Sequence, residues 1–181
     1  NILTCTRQFS YTSQNKNTID IVLSLNGIPV VAMELKNQLT GQSVNNAKRQ
    51  FMYDRDEKEF CFRFNNRFLV YFCVDLYEVA MTTQLQGEKT YFLPFNQGSN
   101  GAGNIGDGGN PKCEDGYATS YLWEYVLNPE MLLSIFQRYI SKQTTESISL
   151  VNGKKVTKTK TILIFPRYHQ LDVVEKLVAD T

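Results

Sequence analysis

The sequence predicts an α/β (α+β) fold in which a mixed central sheet is flanked by helices. Two runs rich in Ile, Val and Leu, 18–25 (TIDIVLSL) and 28–36 (IPVVAMELK), meet at Asn26-Gly27. A helical stretch, 43–56 (SVNNAKRQFMYDRD), follows directly. Three further strand-like runs and then two helical ones come after it, and strands interleaved with helices build a layered sheet-and-helix domain.

Each element has a local cause. Asn-Gly between two apolar runs is a strong hairpin signal, because both residues tolerate the positive φ of a tight turn. Odd positions Ile19, Ile21, Leu23, Leu25, Val31, Met33 and Leu35 are all apolar, so one face of this hairpin is expected in the core. Asp20, Ser24, Glu34 and Lys36 occupy the other face. For Asp20 and Glu34 to emerge together, the hairpin needs an even register. A two-residue loop pairing Leu25 with Ile28 would send Glu34 to the opposite face unless a bulge intervened. A three-residue loop, pairing Ser24 with Ile28, is the expectation, with Gly27 in the left-handed position of a G1 bulge.

Ser43 is placed to cap the helix at 43–56. Residues 67–74 (RFLVYFCV), 77–83 (YEVAMTT) and 89–95 (KTYFLPF) read as strands. Residues 96–116 hold most of the glycines and few apolar groups, so they read as a long loop. Helices are expected at 119–127 and 129–141, the second with Asn128 as cap and Pro129 at its first position. A second hairpin is expected over 146–165 around Asn152-Gly153, and a last helix from near Tyr168 toward Asp180.

Composition sets limits. The 181 residues suffice for one sizeable core, not two ordinary domains. No apolar run nears the roughly 18 residues of a membrane span, and the first residues lack the basic and apolar regions of a secretory signal. The first residue is not Met, so the chain is expected to be a piece of a longer protein. Four cysteines, Cys5, Cys61, Cys73 and Cys113, form no CxxC pair, which favours reduced, buried thiols and a cytoplasmic setting. The net charge is only +1, less basic than a free-standing nucleic-acid binder usually is, so if the chain handles a polyanion, other parts of an assembly are expected to do most of the holding.

The sharpest chemistry is Asp20, thirteen intervening residues, then Glu34-Leu35-Lys36. Glu34 and Lys36 are two apart on one strand and share a face. Two carboxylates from neighbouring strands make a hard oxygen site suited to Mg²⁺. Such a metal lowers the pKa of a bound water and neutralises charge on a phosphate, and a lysine beside it offsets more of that charge. The spacing alone favours a solvated strand face; the apolar partner face and the following helix bring the nuclease reading level with it.

The stretch IDIVLSLNGIPVVAMELKN resembles the nuclease core of type I restriction subunits, a PD-(D/E)xK family. The resemblance continues through NAKRQFMYDRD, RFLVYFCVD, the glycine-rich loop, TSYLWE and PRYHQLDVV. It implies a restriction-endonuclease-like fold with Asp20 and Glu34 as Mg²⁺ ligands, the Leu35 carbonyl in the same shell, and Lys36 as catalytic lysine. It further implies a nuclease domain over 1–165, incomplete at its N-terminus, and a linker and helix at 166–181 leading into an ATP-driven motor. Double-stranded DNA and the methylation and specificity subunits of a restriction complex would be the partners. Relatives carry a Gln-x-x-x-Tyr pair on the helix after the lysine; here Gln50 and Tyr53 are one residue closer, still neighbours on one helical face. Lys48 and Arg49 are candidate phosphate contacts.

Other signals are weaker. Residues 101–106 match G-x-G-x-x-G, but Asp-Gly-Gly-Asn-Pro follows, which cannot open the helix a dinucleotide site requires. His169 is the single histidine. Gln170 is the candidate adenine contact implied for the full-length subunit, yet the chain has no phosphate-binding loop for ATP. Lys154, Lys155, Lys158 and Lys160 mark a basic hairpin, read first as a solvated tip and second as a DNA contact. Two alternatives to the nuclease stand: a non-catalytic DNA-binding or assembly module that keeps the fold, and a stand-alone structure-specific nuclease, which should be more basic.

Overall fold

The computed structural model describes residues 1–114, 116–151 and 154–180. Six strands form a mixed sheet in the order β1 (Leu3–Ser10), β2 (Thr18–Leu25), β3 (Ile28–Leu35), β4 (Val70–Val74), β5 (Val79–Thr82) and β6 (Leu93–Pro94). The pairs are antiparallel except β3 with β4, which run parallel. A parallel pair needs a crossover, and α1 (Val44–Tyr53) lies within it. This is an α+β sheet with flanking helices, consistent with restriction-endonuclease-like architecture.

The hairpin register differs from the expected one, and the difference matters. Asn26 and Gly27 both have positive φ, 51° and 83°, and Leu25 pairs with Ile28, so the loop has two residues. That register alone would separate the two carboxylates. Between Leu23 and Ser24 the pairing shifts: Ser24 faces Pro29, but Leu23 faces Val31, leaving Val30 as an extra residue on β3. Proline cannot donate to the ladder, so the strand is weakest there and tolerates the bulge. Past it Ile21 pairs with Met33, and one step further Asp20 lies opposite Glu34. The even register is reached through a bulge, not a three-residue loop. Gly27→Ala should cost about 1 kcal/mol, since a Cβ disfavours positive φ even where, as here, nothing lies within 4 Å of it. Urea denaturation would measure this, and an unchanged midpoint would contradict the turn.

Both faces of the hairpin are covered, which corrects the expectation of a single buried face. Val22 and Ala32 share the carboxylate face and are fully buried with Val44, Ala47 and Phe51 of α1 and Tyr71 of β4. On the opposite face Val31, Met33, Phe72 and Met81 pack against Leu122, Leu132, Ile135 and Phe165. Ile21, Leu23 and Leu35 on that face are not sealed in; with Met33 and Trp123 they line an apolar cavity of about 560 Å³.

Ser43 does precede α1, and the Asn46 side chain accepts the Ser43 N–H at 2.9 Å. The helix ends at Tyr53, three residues before expected. Its N-terminus is pinned by buried Asp75, which accepts the Val44 N–H at 2.8 Å and the Gln38 amide at 3.1 Å. Strand β6 keeps only two residues of the longer run expected. The helix expected at 119–127 is a π-helical turn, Leu122–Val126. Asn128 caps α2 (Pro129–Ser134) by accepting the Glu130 N–H at 3.0 Å. Another π-helical turn, Ile135–Tyr139, continues it.

A separate two-stranded ribbon, β7 (Ser141–Val151) and β8 (Lys154–Ile164), is longer than the hairpin expected; its turn at Asn152-Gly153 lies outside the described residues. The last helix, α3 (Tyr168–Ala179), docks through buried Tyr168 and Leu171. Residues 101–106 contain no helix. Cys61 and Cys73 are buried, but Cys5 and Cys113 are exposed, so only half the thiols match the expectation. Among the described residues no helix is long and apolar enough to cross a membrane.

Candidate active site

Among the described residues Glu34 is the most deeply buried carboxylate. Its side chain is fully buried at the carboxyl end of β3, and one oxygen, Oε1, is paired with Arg55 Nη2 at 2.7 Å. The other oxygen, Oε2, has no hydrogen-bond partner. Asp20 is half-buried opposite it. The Asp20 Oδ2 accepts the Leu35 N–H at 2.8 Å and Oδ1 accepts the Gln8 amide at 3.1 Å. Burial pushes the Glu34 carboxyl up to about 7 from its ordinary 4.5, Arg55 pulling it down and the Asp20 charge pushing it up. Neither carboxylate has a proton to give the other while both are ionised. Two acids held this close therefore favour either one retained proton or a cation between them.

That arrangement fits a hard divalent cation. The protein offers the unpartnered Glu34 oxygen, the Asp20 carboxylate opposite it, and the Leu35 carbonyl. In an extended strand the N–H and C=O of one residue point the same way, so the Leu35 carbonyl faces the Asp20 side as its N–H does. Among the described residues no group of three or more His, Cys, Asp or Glu side chains lies together. Such a set leaves positions for water and a phosphate oxygen, as Mg²⁺ prefers.

Lys36 shares the carboxylate face, and its ammonium donates to Gln50 Oε1 on α1 at 2.6 Å. Gln50 thus positions the lysine rather than standing free. Gln50, Tyr53 and Asp20 line one polar cleft of about 600 Å³, together with Gln8, Lys16 and Arg55. Tyr53 is exposed and carries the Arg49 guanidinium 5.9 Å from its ring centre. Lys48, half-buried on α1, donates to Asn45 Oδ1 at 3.4 Å. The closer spacing of Gln50 and Tyr53 therefore still brings both to the cleft. Gln170 is elsewhere: it sits in the first turn of α3, where its amide oxygen accepts the Arg167 N–H at 2.9 Å.

Two residues in the site escaped the sequence reading. Arg55 is 3% exposed; it also donates to the Thr18 carbonyl at 2.7 Å and lies 5.4 Å from the Tyr11 ring centre. Flanked by Asp54 and Asp56 it reads as a surface charge, and only the burial of Glu34 reveals its role. Gln8 lies in β1, a strand whose polar, mostly exposed pattern gives little hydrophobic signal. It has φ 51° in mid-strand, a conformation that costs a non-glycine residue of order 1 kcal/mol. Its amide bridges the Asp20 carboxylate and the Thr18 hydroxyl, the latter at 2.6 Å.

Residues 1–90, which contain all of these groups, match the family model of the type I restriction enzyme R protein N terminus. Over that span the chain belongs to this family. The match includes Asp20, Glu34, Lys36, Gln50, Tyr53 and Arg55; TSYLWE and PRYHQLDVV lie beyond it. Comparison with curated proteins and with solved structures found no match. The R-protein N-terminal region thus supplies a paired-carboxylate site with a lysine on the same face and an arginine beneath it.

Proposed function

We propose that this R-protein N-terminal region is a Mg²⁺-dependent endonuclease domain that hydrolyses phosphodiester bonds of double-stranded DNA. The observation that carries the reading is the bulge in β3, which brings Asp20 opposite Glu34 and leaves a buried Glu34 oxygen without a partner. Asp20, Glu34 and the Leu35 carbonyl would hold the metal. When bound, Mg²⁺ would lower the pKa of a water and offset charge on the phosphate. Lys36, held by Gln50, offsets negative charge as it builds on the phosphate oxygens. Tyr53, which lines the cleft, would meet the DNA backbone, with Lys48 and Arg49 of α1 as further phosphate contacts. Gln8 and Arg55 are positioning residues: one fixes the Asp20 carboxylate, the other the Glu34 carboxylate.

In the intact enzyme, which would work in the cytoplasm, ATP would drive a motor in the same polypeptide, with Gln170 as the candidate adenine contact. The motor would pull DNA past the methylation and specificity subunits, and this domain would cut when translocation stalls. A second reading, a binding or assembly module that keeps the nuclease fold, draws on the Arg55 pair, which gives Glu34 a structural partner.

Calorimetry separates the two. Titrating Mg²⁺ into the chain should give saturable binding at about millimolar, worth roughly 4 kcal/mol, and Glu34→Ala should remove it. No heat from the wild type, or equal heat from both, would favour the module.

A further inference from the structure

The structure assigns a duplex-DNA binding role to the β7–β8 ribbon, which clamps the phosphate backbone outside the cleft. The stretch from Ser141 to Ile164 holds five lysines, Lys142, Lys154, Lys155, Lys158 and Lys160, against one acid, Glu146. Its net charge is +4, and since the chain carries only +1 the rest of the molecule is net −3. A near-neutral total therefore conceals a segregated field, and such a basic projection is the electrostatic footprint of a nucleic-acid contact.

The geometry supports that reading. Residues 141–149 and 155–160 are exposed on both faces of the ribbon. A two-stranded ribbon open on both sides has little core of its own. Its base is anchored where the Thr83 hydroxyl donates to the Leu163 carbonyl at 2.8 Å and where Phe165 enters the core. Eleven residues per strand extend about 35 Å, the length of one duplex turn. In the observed register Lys158 lies opposite Ser147 and Lys160 opposite Thr145, so two ammonium groups and two hydroxyls share one face. Among the described residues Lys142, Lys155, Lys158 and Lys160 make no ion pair. Hydroxyls and lysines on an extended ribbon are the donors that bind phosphate oxygens without reading sequence, and a two-stranded ribbon fits the major groove. Other polyanions would satisfy the same charges; duplex DNA is chosen because this inference rests on the nuclease reading.

The test is fluorescence anisotropy of a labelled duplex with the chain in EDTA, across a salt series. The triple variant Lys155→Gln, Lys158→Gln, Lys160→Gln should bind at least about tenfold more weakly at low salt, with the log–log salt slope shallower by roughly 2 to 3, near 0.9 per lost phosphate contact. The triple Lys→Arg variant should keep both. Unchanged affinity and slope in the Gln variant would overturn the assignment. So would a Gln variant that keeps DNA affinity but loses self-association by light scattering, which would make the ribbon a protein-pairing edge. Cleavage with Mg²⁺ is read separately: loss of cutting in Glu34→Gln alongside unchanged DNA binding in the ribbon variant sinks the ribbon alone. A wild type that binds through the ribbon but never cuts as part of the intact enzyme sinks the nuclease alone.

Discussion

Alanine at Asp20, Glu34 or Lys36 is expected to abolish DNA cleavage by the intact enzyme while ATP-driven translocation continues. The loss should be at least about 10²- to 10³-fold for each, the size seen when one preorganised charge-stabilising group is removed. The three act as a unit, so double variants should be no worse than singles. Asp20 and Glu34 face each other across β2 and β3, and Lys36 rises from the same strand toward Gln50. Removing Glu34 strands the buried Arg55 guanidinium, and breaking a buried pair in this way costs about 3–5 kcal/mol. Glu34→Gln, which still accepts from Arg55, separates that folding effect from chemistry. Plasmid cleavage and triplex displacement by the same preparations would report cutting and translocation side by side. Near wild-type cutting by any one of these variants would remove that residue from the site.

Much of this site was legible because strand chemistry is local. The Asn-Gly turn, the alternation around it and the paired acids on adjacent strands all lie within about twenty residues, where period-two patterning governs which side chains share a face. The register was not legible in the same way. Two acceptable loops compete at Asn26-Gly27, and the outcome depends on Val30, whose bulge is a response to Pro29 and to the packing of both sheet faces. Burial is harder still to read. The strand face carrying Glu34 looked polar because its neighbours Asp20 and Lys36 are charged, yet α1 and β4 cover Val22 and Ala32 on that face. Arg55 belongs to the same failure: an Arg between two Asp residues is solvent-like in sequence and is buried only because Glu34, twenty-one positions earlier, is buried too. The π-helical turns around α2 are set by the tertiary fit of Leu122, Val126 and Ile135, which a helical period alone does not distinguish from an α-helix.

The Glu34 carboxyl makes the stability of the metal-free chain depend on pH in an unusual direction. Its folded value, about 7, lies above its ordinary 4.5, so between those values the folded state holds a proton that the unfolded state has released. The folded state binds more protons over that window, and stability must fall as pH rises through it. The contribution is fully present below about 4.5 and is lost by the time the pH is well above 7. At roughly 1.4 kcal/mol per pH unit the loss amounts to about 3 kcal/mol. Burial is the largest cause and Asp20 adds to it, while Arg55 limits it. Glu34→Gln cannot titrate, so it should gain on the wild type by about that amount between pH 4.5 and pH 8 in EDTA, as read from urea midpoints at each pH. Parallel curves for the two proteins would show that Glu34 titrates normally. Mg²⁺ added at pH 8 should stabilise the wild type by mass action and leave Glu34→Gln nearly unmoved, because an amide oxygen offers the cation no charge to neutralise.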